Sequence, residues 1–191
     1  MTEKFSQNLD PVKQEKTTVE GFKIFGVNET SLIRSLSSLN GIPIDRLEAQ
    51  MRPGVSSNAG FLGENESLAQ VLAEDNDAVL GMGLTHQKLA DFLFHASEGA
   101  FFSNTFEYNG RKFTRHCAAT MGYQTSPFED DTMGNEDYDI VCLEDGLTIT
   151  FSMLLPFMIE RYGFYEGKGT HYRLDPKKVA EVAGFTPRSE R

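Results

Sequence analysis

The chain has 191 residues, of which 39% are hydrophobic and 24% are charged, and its formal net charge is −10. This length and composition suffice for a hydrophobic core without disulfide or metal staples, and they exclude disorder of the whole chain. The acidic balance argues against nucleic-acid binding, because contacts from Lys and Arg to phosphate supply most of that affinity.

The two cysteines and the hydropathy pattern indicate where the protein acts. Cys117 and Cys142 lie in apolar, strand-like surroundings, which is typical of buried free thiols in a reducing compartment. No apolar segment follows Met1, and no run approaches the roughly 18 to 20 apolar residues that span a bilayer. We therefore expect a cytoplasmic protein without membrane contact.

The N-terminal third predicts a tail followed by short helices. Residues 1–21 are polar and are predicted to form a flexible tail, and residues 22–27 form a short strand candidate. A helix is predicted to begin at Thr30 or Ser31 and to end at Asn40-Gly41, because one helical face carries four apolar side chains: Leu32, Ile33, Leu36 and Leu39.

Three more helices are predicted before the spacing of apolar residues changes from helical to strand-like. The first covers residues 42–51 with Pro43 in its first turn, and the Ser-, Asn- and Gly-rich residues 55–63 form a loop after it. The second begins near Asn65, with a break before residues 77–80. The third is capped by Thr85 and continues to about residue 97.

The second half begins with two hairpin signals. Asn109-Gly110 separates residues 105–108 from residues 112–114, and this dipeptide favours the positive φ angles of a type I′ turn. Asp145-Gly146 separates residues 138–143 from residues 147–151 in the same way. The intervening residues 122–134 are predicted to be a loop.

Two helices are predicted near the C-terminus. The first covers residues 152–160 and is followed by Gly163, which is a natural stop for a helix. One face of this helix and its extension is apolar and consists of Leu155, Met158, Ile159 and Tyr162. Asp175-Pro176 supplies the N-cap and first turn of the last helix, which Gly184 ends.

This order of elements favours an α+β fold, in which N-terminal helices pack with an antiparallel sheet of hairpins and with C-terminal helices. We expect a single globular domain over residues 22–185. Residues 22–54 form a possible helical subdomain within it, and residues 186–191 form a flexible tail.

One long segment contains only acidic charges. Between Arg115 and Arg161 there is no Lys or Arg, and most of its carboxylates fall within residues 129–145. The segment could be a solvated acidic surface, a docking surface for the basic C-terminal segment, or a cation site. The acidic spacing does not match a calcium-binding loop, so no metal ligands are predicted.

The loop after the predicted helix 152–160 is the best site candidate, because it concentrates aromatic, charged and glycine residues. Glu166 and His171 are the acid/base candidates. The ligand-binding candidates are Tyr162, Tyr165, Lys168, Tyr172 and Arg173. The same residues could instead fasten the helix end to the sheet, with the glycines supplying only positive φ angles.

These patterns lead to two hypotheses of function. We expect a non-catalytic module that binds a protein partner or a small anionic ligand through the aromatic loop and the acidic surface. The alternative is a small-molecule enzyme with Glu166 or His171 as acid/base and Arg173 as anion holder. No cofactor is predicted, because residues 167–170 (Gly-Lys-Gly-Thr) lack the spacing of a phosphate loop. The oligomeric state is not predicted.

Overall fold

The fold places helices at both ends of one main antiparallel sheet. The computed structural model describes residues 30–185, so the predicted tails and the strand candidate 22–27 lie outside the described residues. The first elements are α1 (Thr30–Ile33), β1 (Ser38–Leu39), β2 (Ile42–Pro43), α2 (Ile44–Met51), α3 (Leu68–Gly81) and α4 (His86–Ser97). The following elements are β3 (Thr105–Tyr108), β4 (Arg111–Thr125), β5 (Met133–Cys142), β6 (Thr148–Ser152), α5 (Leu154–Tyr162) and α6 (Pro176–Val182). The predicted α+β class is confirmed.

Local sequence signals explain where several elements begin. The Thr85 hydroxyl accepts the Lys88 N–H at 3.1 Å and caps α4, and the Asp175 carboxylate caps α6 in the same manner. Asn109 and Gly110 have φ angles of 49° and 74°, as the predicted turn between β3 and β4 requires.

The predicted helix from residue 30 to residue 39 is wrong beyond its first turn. Only Thr30–Ile33 is helical, and Asn40-Gly41 forms the turn between β1 and β2 instead of ending a helix. Both turn residues have positive φ angles, 54° and 74°. The break predicted near residue 77 is also wrong, because α3 is continuous to Gly81.

The main sheet has the strand order β3-β4-β5-β6, and all its pairs are antiparallel. The strand β4 is much longer than β3, which pairs only with Arg111 to Thr114. The predicted loop 122–134 is too long, because β4 continues to Thr125 and β5 begins at Met133. From His116 onward, β4 therefore has β5 on one side and no strand from the described residues on the other.

Buried side chains connect the helices to this sheet. One hydrophobic cluster extends from Ile33 to Phe185 and includes Leu47 and Met51 of the N-terminal helices. Arg115 fastens the end of α4 to β4, because its guanidinium donates to the carbonyl oxygens of Ala96 at 2.9 Å and Glu98 at 2.6 Å. No helix within residues 30–185 is long and apolar enough to cross a bilayer.

Candidate functional site

The loop that follows α5 folds back onto α4 at a single glycine. Gly163 has a φ of 66° and donates its N–H to the Ile159 carbonyl at 2.9 Å, which ends the helix. A side chain at this position would lie 3.1 Å from the His86 ring. The sequence thus permits a close approach between the loop and α4, and this approach brings Tyr165 to His86.

Tyr165 and His86 form the centre of a buried hydrogen-bond chain. The Tyr165 hydroxyl lies 2.9 Å from His86 Nδ1, and His86 Nε2 lies 3.1 Å from Asn76 Oδ1. Burial lowers the pKa of His86 to about 3, so the imidazole is neutral near pH 7. Because the amide oxygen only accepts, Nε2 donates to Asn76 and Nδ1 accepts from Tyr165. Both rings are inaccessible to solvent.

Arg173 forms a second buried interaction beside this chain. Its guanidinium donates to both carboxylate oxygens of Asp75 at 2.6 Å and to the Glu166 carbonyl oxygen at 2.7 Å. Burial acts to lower the pKa of Arg173, but its bonds to Asp75 raise that pKa overall. The fork of donors is therefore engaged by the protein's own oxygens, and a substrate anion would have to displace them.

Glu166 is a buried carboxyl group. Its Oε2 lies 2.8 Å from the Thr170 hydroxyl, and its side chain is held below the loop surface. Burial raises the pKa of Glu166 to about 7, which is in the range of a general acid or base. His171, the other acid/base candidate, is exposed and packs against Tyr172 with ring centroids 4.5 Å apart. Glu166 is thus buried whereas His171 faces the solvent, so the two candidates lie in different environments.

The remaining loop candidates have separate environments. Tyr162 is fully buried, stacks on Phe128 and donates its hydroxyl hydrogen to Asp130 at 2.6 Å. Lys168 is exposed and pairs with Glu74 at 2.7 Å. Tyr172 is half-buried and lines a small cavity of about 170 Å³ near the start of α5.

The acidic segment meets its counter-charges at several points. Arg161 pairs with Asp130 at 3.1 Å, as expected if the basic C-terminal segment docks there. Arg46 pairs with Glu129 at 2.9 Å, and Arg111 pairs with Asp145. In the part of the chain that the structure describes, no three His, Cys, Asp or Glu residues could together hold a metal ion.

A cavity of about 710 Å³ lies between the ends of α3 and α6. Neither Glu166, His171 nor Arg173 lines it. Its lining is apolar with more carboxylates than cations: Asp77, Asp145 and Glu181 against Arg111 and Lys177. The cavity therefore has no preference for an anion.

The open edge of β4, defined here as residues 116–123, was missed by the sequence interpretation. Residues 117–125 contain no Asp, Glu, Lys or Arg, although 24% of the chain is charged. Met121 is fully exposed and Tyr123 is 72% exposed. Both residues lie in a bulge, between Ala119 and Gln124, where the regular pairing of β4 with β5 is interrupted. The uncharged run is visible in the sequence, but its exposure is not, because the exposure depends on the short length of β3.

Backbone groups also face outward at this edge. Arg115 N–H donates to the Asn104 carbonyl at 2.8 Å, at the point where the chain enters β3. Successive residues of an antiparallel strand direct their N–H and C=O groups to alternate sides. The backbone groups of Cys117 and Ala119 therefore face the side from which the described residues contribute no strand.

Comparisons with protein-family models, with curated proteins and with solved structures found no match to this chain.

Proposed function

We propose that the protein is a non-catalytic protein-binding module and that the open edge of β4 is its binding surface. The observation that carries this proposal is the coincidence of three features: a strand edge with which no strand of residues 30–185 pairs, an uncharged run, and the exposed side chains of Met121 and Tyr123. Soluble proteins commonly protect such edges with charges or short strands, whereas Met and Tyr are enriched in interfaces. The fitting partner presents an extended strand with uncharged side chains.

The geometry gives less support to the enzyme hypothesis. Glu166 has a suitable pKa, but it is buried beside Thr170, while His171 is exposed and Arg173 is held by Asp75. General acid/base catalysis needs these groups to converge on a substrate. A proton-transfer site would require the loop to open and expose Glu166, and the buried interactions described above oppose such opening.

A small anionic ligand is likewise less well supported than a protein partner. Both cationic loop candidates already have carboxylate partners, Lys168 with Glu74 and Arg173 with Asp75. The net charge of −10 also opposes binding to nucleic acid. Free Cys117 and Cys142 are consistent with a reducing, cytoplasmic environment.

Photo-crosslinking in cells tests the proposed surface. A photoreactive phenylalanine analogue replaces Tyr123 at the edge, and in a control protein it replaces Leu143, which is 57% exposed at the other end of β5. We expect a discrete protein adduct from position 123 and none from position 143. Adducts of equal yield from both positions, or none from position 123, would refute the proposal.

A further inference from the structure

We propose that the partner of the open β4 edge is a second copy of this chain, paired antiparallel about a two-fold axis at Ala118. This inference rests on the function proposed above and names the partner for the same surface. In such a dimer the two sheets join into one continuous sheet, and each copy supplies a strand at the edge that the described residues of the other leave open.

The position of the axis follows from the limits of the open edge. At Arg115 the outward N–H is already bonded to Asn104, and a bulge interrupts the strand after Ala119. Within this segment Cys117 and Ala119 direct their backbone groups to the side on which the described residues place no strand, and Ala118 lies midway between them. With the axis there, Cys117 of each copy exchanges backbone hydrogen bonds with Ala119 of the other, because both residues direct these groups outward.

Side chains at the centre of this pairing are compatible with close contact. Ala118 faces its own counterpart across the axis, and His116 faces Thr120. None of residues 117–120 is charged, so the pairing places no like charges opposite each other. Small side chains also leave the exposed backbone accessible to the second copy.

The flanks of the open edge are complementary as well. Phe102 is 94% exposed and lies two residues before Asn104, so it is within about 7 Å of that end of the edge along the chain. Met121 lies as far beyond Ala118 as Arg115 lies before it. The two-fold axis therefore brings Met121 of one copy to the end of the other copy's open edge, next to the Asn104 that bonds Arg115 and near Phe102. One apolar contact is then formed twice, as an isologous interface requires.

Electrostatics also favours the open edge of β4 as the site of self-association. Two copies with a formal charge of −10 repel each other, but salt screens charges separated by more than about 8 Å at physiological ionic strength. An uncharged strip is where two acidic copies approach at the lowest cost. We therefore expect added salt to strengthen the dimer.

Sedimentation velocity of the full chain over a concentration series tests the inference. We expect the wild-type chain to show a reversible monomer–dimer equilibrium. Ala118→Lys and Ala118→Glu should each sediment as monomers, because each places two like charges across the axis. Their equimolar mixture should restore the dimer, because opposite charges then meet. A Leu143→Lys control should dimerise as the wild type does.

Three results would overturn the inference. They are a monomeric wild-type chain at every concentration, unchanged dimerisation of both Ala118 variants, or a mixture that stays monomeric although both variants melt as the wild type does. If the Ala118 variants do not fold, Met121→Asp replaces them, and its dimerisation at wild-type strength would also contradict the inference. If the wild-type chain is monomeric but position 123 crosslinks to a different protein, self-pairing is contradicted and the proposed function is still supported.

Discussion

The loop after α5 and the open edge of β4 differ in whether their polar groups have partners within the fold. In the loop, Tyr165 reaches His86 and Arg173 reaches Asp75, so that the groups most suited to chemistry are paired inside the protein. At the edge, Cys117 and Ala119 have ordinary side chains, but their outward backbone groups lack a strand partner among residues 30–185.

The difference shows that a residue's chemical type does not by itself indicate a binding surface. Buried polar groups need partners inside the fold, because an unpaired one costs about 1–3 kcal/mol. A concentration of such residues therefore also arises where a loop must be fastened to a core. A binding surface needs groups that folding leaves unpaired. Among the described residues, the β4 edge offers such groups in its outward backbone atoms and exposed apolar side chains.

The largest expected effect comes from breaking the buried ion pair. Arg173→Met leaves the Asp75 carboxyl without its bidentate partner, and we expect a loss of about 3–5 kcal/mol in the free energy of unfolding. Lys168→Met is the matched control, because its pair with Glu74 is exposed, and we expect a loss of at most about 1 kcal/mol. Urea unfolding measures both. Equal losses would contradict a structural role for the Arg173 pair.

The second prediction concerns pH and Glu166. Its folded pKa of about 7 is higher than the ordinary value of 4.5, so its stabilising contribution is fully present below pH 4.5 and is lost as pH rises through 7. The shift corresponds to about 3 kcal/mol. Glu166→Gln should lack this loss, so the wild-type chain should lose more stability than the variant between pH 4.5 and 7.

Chemical unfolding at several pH values measures that difference. Burial also raises the pKa of Asp75 to about 6 and lowers that of His86 to about 3, but it does so in both proteins, so these contributions cancel when the two pH profiles are subtracted. Parallel profiles would show that Glu166 is not held as a buried acid.

A smaller effect is expected from the Tyr165 hydroxyl. Tyr165→Phe removes the hydrogen bond to buried His86, and we expect a loss of about 1–3 kcal/mol. Tyr123→Phe removes the same atom from the exposed edge and should leave stability unchanged. Thermal or urea unfolding checks both variants. A comparable loss at position 123 would mean that the edge, too, is part of the structural framework.

The smallest effect on stability is expected at the edge itself. Met121→Ser changes a fully exposed side chain, so the free energy of unfolding should change by less than about 0.5 kcal/mol. The same substitution should weaken dimerisation, because it removes the apolar contact to Phe102 of the second copy. Unfolding and sedimentation of the same preparation separate these two effects. A variant that is destabilised but dimerises normally would show that the edge contributes to the fold and not to binding.

Much of the fold could be predicted because its signals are local. Asn109-Gly110, Thr85 and Asp175-Pro176 each fix a turn or helix start through atoms only a few residues apart. The predicted helix over residues 30–39 failed because its apolar spacing also suits a short helix followed by a hairpin. Only the tertiary packing distinguishes these structures.

The candidate site was harder to predict, because its contacts are distant in sequence. Tyr165 and His86 are 79 positions apart, and Arg173 and Asp75 are 98 positions apart. The sequence showed that the loop was unusual but could not show that Tyr165 points inward. Likewise, residues 117–125 are visibly uncharged, but their exposure follows from the end of β3 pairing at Thr114.

Hydrogen–deuterium exchange of the full chain at low and high protein concentration tests the central claim most directly. If the β4 edge is the interaction surface and the aromatic loop is structural, exchange should slow at high concentration in peptides covering residues 116–123. Peptides covering residues 163–173 should exchange at the same rate at both concentrations. Slower exchange in the loop with no change at the edge would contradict the account.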